Sequence, residues 1–111
     1  MIVVWLALAG ACGAVLRLLA DHYLPSRGIL VANTVGSLVA GIAAGTLSGV
    51  ALEVWLTGVA GALTTFSTVS VSTARDALSG RFAAAAGSWA AHIVAGLLAV
   101  GLGLALGTSW S

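Results

Sequence analysis

The sequence predicts an all-α membrane protein with four transmembrane helices, the third of them broken at mid-membrane. Three observations carry this expectation. Of 111 residues, 60% are hydrophobic and only 6% are charged, whereas a soluble domain carries about a quarter charged residues. The polar residues gather in short stretches that divide the chain into four apolar segments. At ~1.5 Å per helical residue, each is long enough for a ~30 Å hydrocarbon core. Finally, the third segment contains Gly61-Ala62-Leu63-Thr64-Thr65-Phe66-Ser67-Thr68-Val69-Ser70-Val71-Ser72-Thr73, a cluster of hydroxyls amid Ala, Val, Leu and Gly. Thr and Val are only fair helix formers, and Ser and Thr bond neighbouring backbone groups and loosen a helix. Broken backbone at membrane depth survives only where it is buried in protein or lines a wet cavity. The stretch therefore points to an ion or solute site.

The chain reads as one domain, 1–111, with helices at about 2–20, 28–47, 51–74 and 82–106. In the first helix, Gly10, Cys12, Gly13 and Ala14 are small enough for close helix contact. No Lys or Arg precedes it, so the charged leader of a cleaved signal peptide is missing. Arg17, near its end, is either a snorkelling anchor or an inward cation that draws anions into a vestibule. A loop from Asp21 to Arg27 follows, with Pro25, the only proline, suited to a turn. In the second helix Asn33, Gly36, Ser37 and Ala40 share one face by i, i+3, i+4, i+7 spacing. That face is small and polar, fit to pack on the broken helix and to offer an amide N–H to an anion. Gly41 and Gly45 add a small-xxx-small pair. A short loop, about 48–53, carries Glu53; a third holds Arg75, Asp76 and Arg81. In the fourth helix Ser88 and His92 are one turn apart. His92 is either a satisfied core histidine or a pore-side donor. Trp89 reads as packing or as an interface anchor, and Trp110 as an anchor.

Charge and chemistry exclude several classes. A net charge of +1 with no Lys leaves no electrostatic footprint for nucleic acid. The single Cys12 makes neither an internal disulfide nor a thiolate metal site and reads as a small buried hydrophobe. Ser67 has no basic partner at a recognisable spacing, which argues against an enzyme. Arg27, Arg75 and Arg81 fall on the loops opposite the termini, so the positive-inside rule places both termini outside.

The residues then add up to a family. Gly10 to Arg17 reads G-A-C-G-A-V-L-R, like an opening GGxxGAxxR. Gly28 to Gly41 reads G-I-L-V-A-N-T-V-G-S-L-V-A-G, like a second-helix GTLxxNxxGSxxxG. Gly61 to Ser70 reads G-A-L-T-T-F-S-T-V-S, like a third-helix GGxTTFSTFS. With three ordered motifs along its full length, the chain resembles the Fluc/CrcB fluoride channels. The resemblance implies an antiparallel dimer with two fluoride pores, exporting fluoride passively across the cell membrane (the inner membrane of a bacterium) and limiting its toxicity. It also implies a structural, untransported Na⁺ at the dimer centre, held by the backbone carbonyls of Gly61 and Thr64. Asn33 would donate to fluoride, Phe66 would meet it with its ring edge, and Ser67 and Thr68 would add hydroxyls. Ser88 and His92 complete the expected pathway from the fourth helix, and Arg17 would sit in an aqueous vestibule.

Two departures stand out: Val69 replaces the motif's second phenylalanine, and Ala62 its second glycine. Val69 removes a ring edge from each pore if two copies pair. The expected assembly is therefore an antiparallel homodimer, or a heterodimer with an oppositely oriented paralogue that supplies the missing phenylalanine. The rival reading is a small multidrug-resistance-type four-helix transporter. Proton-coupled carriers of that kind need a titratable acid within a span, and Asp21, Glu53 and Asp76 all read as lying at loops or ends.

Overall fold

The computed structural model describes residues 1–111. It is all-helical, with four stretches long and apolar enough to cross a membrane: Ile2–Tyr23, Gly28–Thr46, Gly49–Leu78 and Phe82–Trp110. We label the first two α1 and α2. The third is interrupted, giving α3 (49–63) and α4 (Ser67–Leu78), and the last is α5. Only 15 of the 111 residues are buried within the chain. The remaining apolar surface therefore requires lipid or a second subunit, and the protein is a multi-pass membrane protein.

The connections are shorter than the sequence suggests. The helix α1 runs past Ala20 to Tyr23, and the turn beyond it holds Pro25. Between α2 and α3 only Leu47 and Ser48 are non-helical. Residues 49–53, expected in a loop, are already helical, started by Gly49 at φ 57°, where a Cβ would be strained. Arg75 and Asp76, also expected in a loop, form the last turns of α4. That helix ends in a Schellman motif: Arg81 N–H donates to the Asp76 carbonyl (2.8 Å) and Gly80 N–H to that of Ala77 (3.0 Å), with Gly80 at φ 77°. The motif satisfies orphan carbonyls and needs a left-handed residue at Gly80. It also brings Arg81 onto Asp76 at 2.6 Å, an exposed pair that contributes at most about 1 kcal/mol.

The most extensive helix pair is α2 on α5. A Cβ on Gly41 would strike the Val100 carbonyl oxygen, and one on Gly103 the Leu38 carbonyl oxygen. Gly45 and Gly107 meet in the same way one turn on. Two small-xxx-small pairs thus let the backbones touch, and dispersion contact takes over the role that hydrophobic burial has in water. Gly103→Val is expected to split this seam, since overpacking costs about 1–3 kcal/mol even where neighbours can yield. Loss of the monodisperse fraction in detergent is the readout; a normal elution profile would mean that the seam tolerates a side chain.

The helix α3 is not uniform: Val54–Ala60 is π-helical. This widened stretch packs on α1 through small residues. A Cβ on Gly13 would collide with the Val59 carbonyl oxygen, and one on Gly58 would lie 2.6 Å from the Ala9 Cβ. Gly10, by contrast, faces open space. Cys12, expected to be a buried hydrophobe, is exposed on α1.

Candidate functional site

The site is built around the break at Thr64–Thr65–Phe66. Thr64 leaves the helical region for extended backbone (φ −83°, ψ 153°). The chain then re-enters a helix at Ser67. Backbone pairing stops with Thr64 N–H on the Ala60 carbonyl (3.0 Å) and resumes with Ser70 N–H on the Phe66 carbonyl (2.9 Å). No backbone N–H reaches the carbonyls of Gly61, Ala62, Leu63 or Thr64. The N–H groups of Phe66, Ser67 and Val69 likewise have no acceptor in the chain. Freed carbonyls thus face freed donors across three residues. The donors open the N-terminus of α4, where the helix dipole favours an anion.

Asn33 holds the break open. Its Oδ1 accepts from Thr65 N–H at 2.7 Å, and its Nδ2 donates to the Thr65 carbonyl at 3.0 Å. The amide therefore substitutes for both ladder partners that Thr65 has lost. Sequence reasoning offered this amide to an anion. In the structure one of its two N–H bonds is tied to Thr65, and only the second remains.

Two groups of hydroxyls bear on the site. Those of Thr34, Thr46, Ser72, Thr108 and Ser109 each donate to a carbonyl of their own helix, the usual way a span silences a hydroxyl. At the break, Thr65 lies 3.2 Å from the Ser67 hydroxyl and 3.3 Å from that of Thr68. These hydroxyls bond one another, so spare donors and acceptors remain.

Two clefts diverge from Thr65. One, of about 360 Å³, is lined by Asn33, Phe66, Val69, Trp89 and His92 together with Thr64 and Thr65. The other, of about 380 Å³, holds Arg17, Asp21, Ser67 and Thr68. The predicted pathway residues are therefore not gathered in one place: Asn33, Phe66 and His92 meet on one side, and Ser67 and Thr68 join Arg17 on the other. Arg17 Nη1 comes within 3.5 Å of the Thr64 carbonyl oxygen, near the limit of a hydrogen bond. Gly61 and Thr64 share a third cleft with Gly36, Ser37 and Ala40, so the small polar face of α2 does pack on the broken helix. A Cβ on Gly36 would run into the Thr64 methyl.

His92 is held by one bond, Nδ1 to the Ser88 backbone oxygen at 2.9 Å. A carbonyl only accepts, so Nδ1 carries a proton and Nε2 is the ring's remaining polar atom. That atom is buried and has no partner in the chain. His92 therefore has Nε2 left for a partner, and Ser88 takes part through its carbonyl. The Ser70 and Thr73 hydroxyls are likewise buried without partners. They follow Phe66 at i+4 and i+7 and so extend its face of α4. Sequence reading counted them in the hydroxyl cluster but gave them no role; that spacing was the signal.

The family described as CrcB-like protein, Camphor Resistance (CrcB), matches residues 4–104. Three relatives carry informative names. A protein of Cutibacterium acnes named fluoride-specific ion channel FluC 2 is 41% identical, covering 97% of this chain and 98% of its own length. One of Natronomonas pharaonis with the same name is 43% identical, covering 90% and 89%. A protein of Pseudomonas paraeruginosa named fluoride-specific ion channel FluC is 40% identical, covering 89% and 87%.

Proposed function

The chain belongs to the CrcB-like family, and from that premise we propose that it is a fluoride-specific ion channel, a passive conductor and not an enzyme. One structural observation supports the reading above the others: Asn33 clamps a broken membrane helix beside a cleft that Phe66 lines. Fluoride is small and strongly hydrated, so a pore must replace its water with donors. The free amide hydrogen of Asn33, the positive edge of Phe66, and the hydroxyls and N–H groups at the start of α4 are such donors. Each is weak alone, and a series of weak sites lets an ion leave as readily as it enters. Arg17 lies toward the other cleft with Ser67 and Thr68, where its charge concentrates anions before they dehydrate.

We further propose an antiparallel pair of subunits in the cell membrane. The names FluC 1 and FluC 2 among the relatives support paralogous partners, and Arg27, Arg75 and Arg81 bias this chain toward one orientation. The carbonyls of Gly61 and Thr64 are the candidate ligands of a structural Na⁺: both are released from the backbone ladder and the two residues share one cleft, with the Thr64 oxygen also 3.5 Å from Arg17 Nη1. Na⁺ takes hard oxygen ligands, and two carbonyls from each of two subunits supply them without a carboxylate. When bound, such an ion would hold two positions of the break in register. A proton-coupled drug carrier is not favoured: Asp21, which lines the Arg17 cleft, lies in the last turn of α1, and the clefts containing Phe66 and Gly61 have no acidic lining residue.

Proteoliposomes loaded with fluoride test the function. The expected result is rapid, voltage-driven fluoride efflux with chloride retained. Efflux only after co-reconstitution with an oppositely oriented paralogue selects the heterodimer. No fluoride selectivity in either assembly overturns the reading.

A further inference from the structure

We propose that Trp89 is the second aromatic of the anion path, in a chain that carries Val69 and no ring at that position of the same cleft. This rests on the fluoride-channel reading above. Val69 is 4% exposed and lines the Phe66 cleft, so the position is at the site but carries no ring. Trp89, on α5, lines the same cleft. Its ring centroid lies 5.4 Å from that of Phe66, with the planes at 68°, an edge-to-face arrangement that suits two aromatic quadrupoles. Phe66 is 70% exposed, and Trp89 is the one aromatic ring recorded against it.

Two simpler roles fit less well. A membrane-interface anchor stands free toward the headgroups, as the exposed Trp110 does, whereas the Trp89 ring is half-buried and packs edge-to-face on Phe66. A ring serving only as filler is surrounded by apolar groups, whereas this one shares its cleft with Asn33, Thr65 and His92. His92 follows it at i+3, on the same helix face. Trp89 therefore does two things. It fixes the orientation of Phe66, and it adds a second positive ring edge along the cleft wall. In this chain the aromatic pair is split between α4 and α5.

The test compares fluoride efflux from proteoliposomes, in whichever assembly conducts, for Trp89→Leu, Trp89→Phe and Trp89→Leu combined with Val69→Phe. Trp89→Leu keeps an apolar side chain, so dimers should persist by size exclusion while efflux falls about tenfold, the scale of one good aromatic contact. Trp89→Phe should retain most of the flux, and adding Val69→Phe to Trp89→Leu should restore it. Wild-type flux in Trp89→Leu, or no restoration by a ring at 69, overturns the proposal and leaves the channel reading standing. A wild-type protein that passes no fluoride in either assembly overturns the channel reading itself.

Discussion

Asn33→Asp is expected to silence fluoride conduction. The side chain keeps its shape and still accepts from Thr65 N–H, at 2.7 Å in the parent. It can no longer donate to the Thr65 carbonyl, so two oxygens oppose each other where Nδ2 now bridges at 3.0 Å. It also places a negative charge in the cleft that an anion must cross. Two like charges 4 Å apart repel by about 4 kcal/mol at an effective dielectric of 20, about a thousandfold in occupancy. Asn33→Ala separates the two effects. It adds no charge but strips Thr65 of both partners, at about 1–3 kcal/mol for each buried polar group left unmet. That variant should lose dimer yield as well as flux. Efflux at the parent rate from Asn33→Asp would remove Asn33 from the ion path.

Phe66→Ile is expected to reduce fluoride efflux by one to two orders of magnitude with little change in dimer yield. The ring is 70% exposed within the chain, so few of the chain's own contacts are lost. What disappears is the edge-on pairing with Trp89, about 0.5–1.5 kcal/mol, and the positive ring edge itself. Isoleucine keeps the apolar bulk but has no quadrupole to offer an anion. A fluoride electrode on matched proteoliposomes gives the ratio directly; equal rates would reduce Phe66 to a packing residue.

The broken helix was legible because the hydroxyls from Thr64 to Thr73 form a block in an otherwise aliphatic chain. The shared face of Asn33, Gly36 and Ser37 was legible from spacing alone. The actual partner of Asn33 was not, since no pattern says that an amide will bond backbone thirty-two positions away. The partition of Phe66 and Ser67 into different clefts was equally hidden. Neighbours in sequence diverge there because Phe66 and Ser67 open a helix, where successive side chains point about 100° apart. His92 shows a third kind of limit: its role turns on which nitrogen holds the proton, and the Ser88 carbonyl decides that. The glycine seam was half visible. Gly41 and Gly45 were noticed, but Gly103 and Gly107 lay in a helix so rich in small residues that none stood out.

The π-helical stretch Val54–Ala60 has a consequence for azimuth. An α-helix advances about 100° per residue, so a widened turn upstream resets the compass bearing of every side chain after it. Gly61, Ala62 and Leu63 point where they do because Val54–Ala60 accommodates surplus chain before they are reached, and they set the bearing at which the break begins. Tightening that stretch into a regular α-helix would swing Gly61, Ala62 and Leu63 around the axis together and shift the point from which the break sets out toward Asn33. The segment acts as a protractor for the ion path, though it touches no ion.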